Sequence, residues 1–206
     1  MTREPILIAG GGIGGAAAAL ALARQGWPVR VLEQLREFGE IGAGIQLGPN
    51  VYKMLETLGL TGAIDATAVR PDALVMRDAL DGEIVTRVPL NNAGFAKSFS
   101  YPYAVTYRAD LHNALIDACN AEPEIELAVA AKVTGFTDRN DGVSVQLEDG
   151  GRIEGRALIG ADGLWSSVRE SLIGDGPPRI SGHIAYRAVL PATEMPKHLR
   201  WNEVVL

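Results

Sequence analysis

The glycine corner near the start of the chain sets the strongest constraint. Pro5-Ile6-Leu7-Ile8-Ala9 is a short apolar run, and Gly10-Gly11-Gly12-Ile13-Gly14-Gly15 follows it directly. An alanine- and leucine-rich segment runs on to Ala23, and Val29-Arg30-Val31-Leu32 is a second apolar run that ends in Glu33. This order spells strand, tight turn, helix, strand. With glycines at Gly10, Gly12 and Gly15, it predicts a dinucleotide-binding βαβ unit. Gly10 lets the chain leave the strand sharply, Gly12 leaves room for a pyrophosphate, and Gly15 lets the helix lie close on the sheet. The helix would aim free N–H groups and its positive end at the phosphates. Glu33 follows Gly10 by 23 residues, near the spacing of about 20 for an acid on the adenosine ribose. An acid there disfavours a 2′-phosphate, so the expected resident nucleotide is FAD or NAD rather than NADP.

Residues 5–23 carry no charge, and Ala21-Leu22-Ala23 mimics a signal-peptidase site, so a membrane span or leader is the competing reading. Five glycines within six residues would weaken such a helix, and Arg3 is offset by Glu4. The 206-residue chain, 47% hydrophobic, is long enough to bury a real core. Its net charge of −6 and lack of any basic run give no electrostatic footprint for nucleic acid or anionic lipid. Cys119 is the single cysteine, which excludes an internal disulfide and a cysteine metal cluster. It reads as core filler in a reduced, cytoplasmic setting. His183 and His198 lack partners for a triad or a metal site, so no metal is expected.

Further along, residues 39–50 hold four glycines and a proline and read as a loop lining a ligand. A helix is expected over 51–58. The segments 73–78 and 83–88 flank Asp81-Gly82 and predict a hairpin in a second sheet. Residues 91–100 read as polar and mobile. Tyr101–Arg108 reads as extended, and a helix is expected from there to about Asn120. His112, on its first turn, reads as a surface or half-buried residue. Arg108, at the strand-to-helix corner, either is solvated or reaches a phosphate or ribityl hydroxyl. Lys132–Asp138, Val143–Glu148 and Arg152–Glu154 predict a three-stranded meander. Arg156–Gly160 reads as a buried strand, Ala161-Asp162-Gly163 as a turn at a ligand-binding sheet edge, and Leu164–Glu170 as the start of a helix. Ile180–Leu190 reads as a strand pairing with the 73–90 hairpin. The apolar run Val204-Val205-Leu206 would leave an unpaired edge favouring self-association, such as a homodimer, and suggests that the chain is a fragment.

Together these segments resemble the single-component flavoprotein aromatic monooxygenases of the p-hydroxybenzoate-hydroxylase-like class, most closely the salicylate and 3-hydroxybenzoate 6-hydroxylase branch. The resemblance spans essentially the whole chain. It rests on the Gly10-to-Glu33 fingerprint, Gly42-Ala43-Gly44-Ile45-Gln46-Leu47-Gly48-Pro49-Asn50 and Tyr107-Arg108-Ala109-Asp110-Leu111. It continues in Gly160-Ala161-Asp162-Gly163-Leu164-Trp165-Ser166-Ser167-Val168-Arg169 and Ala185-Tyr186-Arg187-Ala188-Val189.

The implied fold is α/β: a Rossmann-like FAD-binding domain with a three-layer sheet and β-meander (1–72 and 101–178), interleaved with a partial antiparallel-sheet substrate domain (73–100 and 179–206). The implied ADP-side contacts are Gly10, Gly12, Ile13, Gly14, Gly15, Glu33 and Gln34. Ile45, Gln46 and Leu47 would lie near the isoalloxazine, Arg108 at the phosphate and ribityl region, and Val133 at adenine. Asp162 would help hold FAD and assist the NAD(P)H encounter. Tyr186 and Arg187 are candidates for the substrate pocket. The implied activity is hydroxylation of a phenolic or hydroxybenzoate-like ring with NAD(P)H and O2. The family's second flavin motif is missing from this sequence, and the family's usual catalytic base would come after Leu206, so no catalytic residue is named. Two other readings stand beside this one: a catalytically inert nucleotide-binding fragment, and an NAD-dependent dehydrogenase.

Overall fold

The computed structural model describes residues 3–39, 43–184, 186 and 188–206. In chain order the strands are β1 (Ile6–Ala9), β2 (Val29–Leu32), β3 (Gly44–Leu47), β4 (Ala73–Arg77), β5 (Ile84–Pro89) and β6 (Ala104–Tyr107). They continue as β7 (Ile125–Ala128), β8 (Val133–Arg139), β9 (Gly142–Leu147), β10 (Arg152–Gly155), β11 (Ala157–Gly160) and β12 (Glu203–Val205). The helices are α1 (Ile13–Ala23), α2 (Pro49–Thr57), α3 (Thr61–Asp65), α4 (Ala93–Ser98), α5 (Arg108–Ala121) and α6 (Ser167–Ile173). The chain divides into two compact units, Met1–Glu40 with Leu111–Ile184, and Ile41–Asp110 with Ala185–Leu206.

The first unit is a three-layer α/β arrangement around a parallel sheet of order β11-β1-β2-β7. β1 is buried along its whole length, as a central strand covered on both faces requires. Leu7, Ala9 and Leu32 point to one face, where they pack with Ala131, Val133, Val143, Val145 and Val168 under the antiparallel meander β10-β9-β8. On the other face lies α1, whose buried Gly15, Ala16, Ala19, Leu20 and Ala23 form one stripe at helical spacing. Its small residues allow close approach: the Cys119 thiol on α5 reaches the Ala16 carbonyl at 3.5 Å. Each fully buried Leu or Val in these layers stabilises the fold by roughly 1.5–3 kcal/mol.

The second unit holds two small sheets. The β4–β5 hairpin turns through Gly82, at φ 78°, as the Asp-Gly spacing predicts. β12 adds to β4 in parallel, Glu203 opposite Ala73 and Val205 opposite Val75. β3 and β6 pair antiparallel, Gly44 opposite Tyr107 and Leu47 opposite Ala104. Buried Tyr52 on α2 donates to Asp65 Oδ1 at 3.0 Å, and Arg70 reaches both oxygens of that carboxylate, tying α2, α3 and the following segment together.

Several sequence expectations are corrected. Within the glycine-rich 39–50 segment, Gly44–Leu47 is a strand, because β6 supplies a ladder partner that outweighs glycine's weak strand preference. Residues 91–100 contain helix α4, capped by Asn92, whose side chain accepts from the Phe95 N–H at 2.8 Å. No strand forms among the described residues of 180–190; the free edge of β4 is taken by β12 instead. The final apolar run is therefore paired on one side. β11 is an edge strand, with Ala157 and Gly160 exposed, rather than a buried one. No helix among the described residues is long and apolar enough to cross a membrane.

Candidate functional site

Two chain corners abut at the carboxyl ends of neighbouring parallel strands. β1 and β11 run in register, Ala9 opposite Gly160, and the Ala161 N–H donates to the Ala9 carbonyl at 2.8 Å just past the ladder. Gly10 then turns at φ 100°, a conformation that favours glycine. A Cβ there would stand 2.4 Å from the Ala161 carbonyl oxygen and 3.0 Å from the Asp162 Cα. A Cβ on Gly15 would lie 2.0 Å from the Gly10 oxygen, so the first turn of α1 sits directly on the corner. Gly12 is the extended N-cap of α1 and offers no side-chain acceptor, and no acid stands in the first turn. The N–H end of an 11-residue helix thus opens at this corner with nothing from its own sequence to neutralise it, which suits a diphosphate.

Glu33 closes the site from the end of β2. Its side chain is buried; Oε2 accepts from the Gly11 N–H at 2.7 Å and Oε1 from the Leu35 N–H at 2.9 Å. Each oxygen retains accepting capacity for a ribose hydroxyl. His112, expected at the surface or half-buried, is only 2% exposed, and its Nε2 lies 2.7 Å from the Gly11 carbonyl. The correction comes from tertiary packing: α5 turns this residue inward, onto the corner. Gly11, Gly12, Glu33, Leu35, Phe38 and His112 line a cleft of about 110 Å³. The residues present fit the ADP half of FAD: an open helix N-terminus, a corner free of Cβ atoms, and a buried carboxylate at the end of β2.

Asp162 has a different local job. Oδ1 accepts from Ser166 Oγ at 2.5 Å, and Oδ2 from the Ser167 N–H at 2.7 Å, Ser167 Oγ at 3.1 Å and the Val168 N–H at 3.2 Å. Burial works to raise its pKa, but these hydrogen bonds outweigh it and hold the carboxyl below its ordinary value. The carboxylate therefore secures the start of α6, which Ser166 also caps through the Arg169 N–H. It is the Asp162 backbone that adjoins Gly10.

The other expected site residues are spread over both units. Ile13 opens α1, and Gly14 has open space where a Cβ would stand. Gln34 is exposed on the turn after β2. Val133 is a core residue of β8, and its carbonyl accepts from Ser167 Oγ at 3.3 Å. In the second unit, Ile45 is half-buried, Leu47 is buried, and Gln46 is exposed and hydrogen-bonded to the Tyr103 hydroxyl. Arg108 begins α5, with its N–H on the Ala43 carbonyl at 3.2 Å. Tyr186 is 95% exposed, and Arg187 lies outside the described residues. The second unit also has a cleft of about 370 Å³ lined by Arg70, Leu90, Phe95, Phe99, Tyr101 and Tyr103, among others. Arg70, the one cation among the described lining residues, is engaged by Asp65.

Sequence reasoning missed His112 and the β7–β8 turn. That turn borders Glu33: the Ala130 N–H donates to the Leu35 carbonyl at 2.7 Å and the Ala131 N–H to the Glu33 carbonyl at 2.8 Å, with Ala130 at φ 52°. Nothing in Ala128-Val129-Ala130-Ala131 signals it. No group of three or more metal-ligating side chains occurs among the described residues.

Comparison with known proteins agrees with this geometry. The family model described as FAD binding domain matches residues 3–185. The 3-hydroxybenzoate 6-hydroxylase 1 of Aquipseudomonas alcaligenes is 49% identical over 197 residues, covering 96% of this chain and 50% of that protein. The 6-hydroxynicotinate 3-monooxygenase of Pseudomonas fluorescens is 36% identical, covering 95% and 50%. The chain thus spans about half the length of these curated relatives. The crystal structure of a Klebsiella pneumoniae HpxO variant complexed with FAD superposes with a TM-score of 0.73 at 28% identity, over 86% of this chain and 44% of that one. With its glycine corner, parallel sheet and meander, and a family match over most of its length, the chain belongs to the FAD binding domain family.

Proposed function

We propose that the chain binds FAD and forms the flavin-holding part of a monooxygenase that hydroxylates a phenolic, hydroxybenzoate-like ring with NAD(P)H and O2. The observation that carries the reading is the junction of Gly10 and Asp162, at the ends of adjacent parallel strands, with the uncapped start of α1 beside it. The relatives support the substrate class: those at 49% and 36% identity are named a 3-hydroxybenzoate 6-hydroxylase and a 6-hydroxynicotinate 3-monooxygenase, and both named substrates are hydroxylated aromatic acids.

In this reading, Gly10, Gly12, Ile13, Gly14 and Gly15 cradle the pyrophosphate, and Glu33 and Gln34 take the adenosine ribose. Arg108 serves the phosphate and ribityl region, and Val133 an adenine contact. Ile45, Gln46 and Leu47 adjoin the ring system and help exclude water from it. Asp162 fixes the α6 start, so that its own backbone stays against Gly10. Bound FAD would supply two-electron acceptance from NAD(P)H and activation of O2. Tyr186 and Arg187 are assigned to the substrate side. Cys119, buried and without a disulfide, suits a cytoplasmic protein, and self-association through the β12 edge gives a homodimer.

A second reading, nucleotide binding without turnover, draws on β11, which is left as a half-exposed sheet edge beside the proposed flavin corner. Titrating the purified chain with FAD while recording its visible spectrum tests both. Uptake of one FAD with aromatic-acid-stimulated NAD(P)H oxidation supports the first reading. Uptake without stimulated oxidation supports the second, and absence of FAD uptake overturns both.

A further inference from the structure

His112 shows a feature that packing alone does not require. A leucine would fill the space without burying two nitrogens, and burying a polar ring costs free energy unless its hydrogen bonds are used. One is used: Nε2 lies 2.7 Å from the Gly11 carbonyl. A carbonyl oxygen only accepts, so Nε2 carries a proton and donates it. Nδ1 is buried and has no hydrogen-bond partner among the described residues. The bond spans 101 residues of sequence and ends on the glycine corner, not within α5. Directly opposite, Glu33 Oε2 holds the Gly11 N–H at 2.7 Å. Gly11 is thus gripped at both of its backbone polar groups by buried side chains from different elements, while the Phe38 ring covers its Cα: a Cβ there would lie 2.3 Å from Phe38 Cε1.

We propose that His112 is a positioning residue for the cofactor: as an Nε2–H donor it fixes the Gly11 carbonyl, so that the corner and the N–H end of α1 are set for a diphosphate before any ligand arrives. The inference rests on the reading that this corner holds the ADP half of FAD. Preorganisation of this kind strengthens binding by sparing the ligand the cost of ordering the loop. The expected loss on removing the donor is about tenfold in affinity, the size of one hydrogen bond.

The test measures the dissociation constants of ADP and FAD for the unaltered chain, His112→Phe and His112→Gln, with thermal midpoints recorded without ligand. The expected result is that His112→Phe weakens ADP and FAD by the same factor, about tenfold, because only the ADP half meets the corner. His112→Gln, which keeps an N–H donor, recovers most of the loss. Equal affinities in folded His112→Phe, or a Gln variant no better than Phe, overturn the inference. Should His112→Phe not fold, the imidazole 15N spectrum of the unaltered chain decides: a protonated Nε2 supports it, and a bare Nε2 overturns it. Absence of both ADP and FAD binding by the unaltered chain overturns the functional reading and this inference with it. FAD binding that His112→Phe leaves unchanged overturns this inference alone.

Discussion

Asp162 shows how one carboxylate divides its labour. Its carboxylate accepts from Ser166, Ser167 and Val168, and although burial works to raise its pKa, hydrogen bonds outweigh burial and lower it. A depressed carboxyl contributes stability that is fully present above its ordinary value of 3.8 and is lost as pH falls through the lower folded value. Asp162→Asn should therefore cost about 1–2 kcal/mol at pH 7, and the gap to the unaltered chain should narrow in urea melts taken well below pH 3.8. A gap that stays constant with pH would show that charge has no part in the cap. Cys119 is the opposite case: burial first, then Glu122, pushes its thiol up to about 11. At pH 8 it should react with a disulfide reagent only after denaturant is added, read as released thiolate; prompt labelling of the folded chain would contradict the packing of α5 on α1.

At the scale of elements, α1 offers a paired test. Gly15→Ala would drive a methyl into the Gly10 oxygen, which is backbone and cannot step aside, whereas Gly14→Ala meets nothing within 4 Å. Gly15→Ala should lower stability by about 2–3 kcal/mol. Gly14→Ala should leave it unchanged or raise it by up to about 1 kcal/mol through helix propensity. Thermal melts of the two variants decide the point, and equal losses would refute the docking of α1 on the corner. This contrast also marks what was legible beforehand. The βαβ unit, the 73–90 hairpin and the meander were readable because their signals are local: glycine spacing, an Asp-Gly turn, alternating apolar residues. His112 was not, since its partner lies 101 residues away and helical periodicity says nothing about which distant backbone a side chain will meet. Gly44–Leu47 was hidden by its own glycine and needed β6 to declare it a strand. The run 180–190 has strand-forming residues, yet its described part forms no strand, and the place beside β4 is held by β12.

For the whole molecule, ligand linkage sets the expectation. FAD at about a hundred times its dissociation constant should add ~2.7 kcal/mol to the unit that binds it. Amide hydrogen exchange should then slow in β1, α1 and the turn after β2, while the β4–β5 hairpin exchanges as before. Equal protection everywhere would mean that the glycine corner is not where the nucleotide sits. The placement of β12 carries a consequence for how the chain is made. Its partner β4 is complete more than a hundred residues earlier, and ribosomes add roughly 5–20 residues per second. A nascent hairpin must therefore wait on the order of ten seconds with one flank bare, an interval in which a chaperone or a neighbouring nascent chain has its best opportunity to intervene.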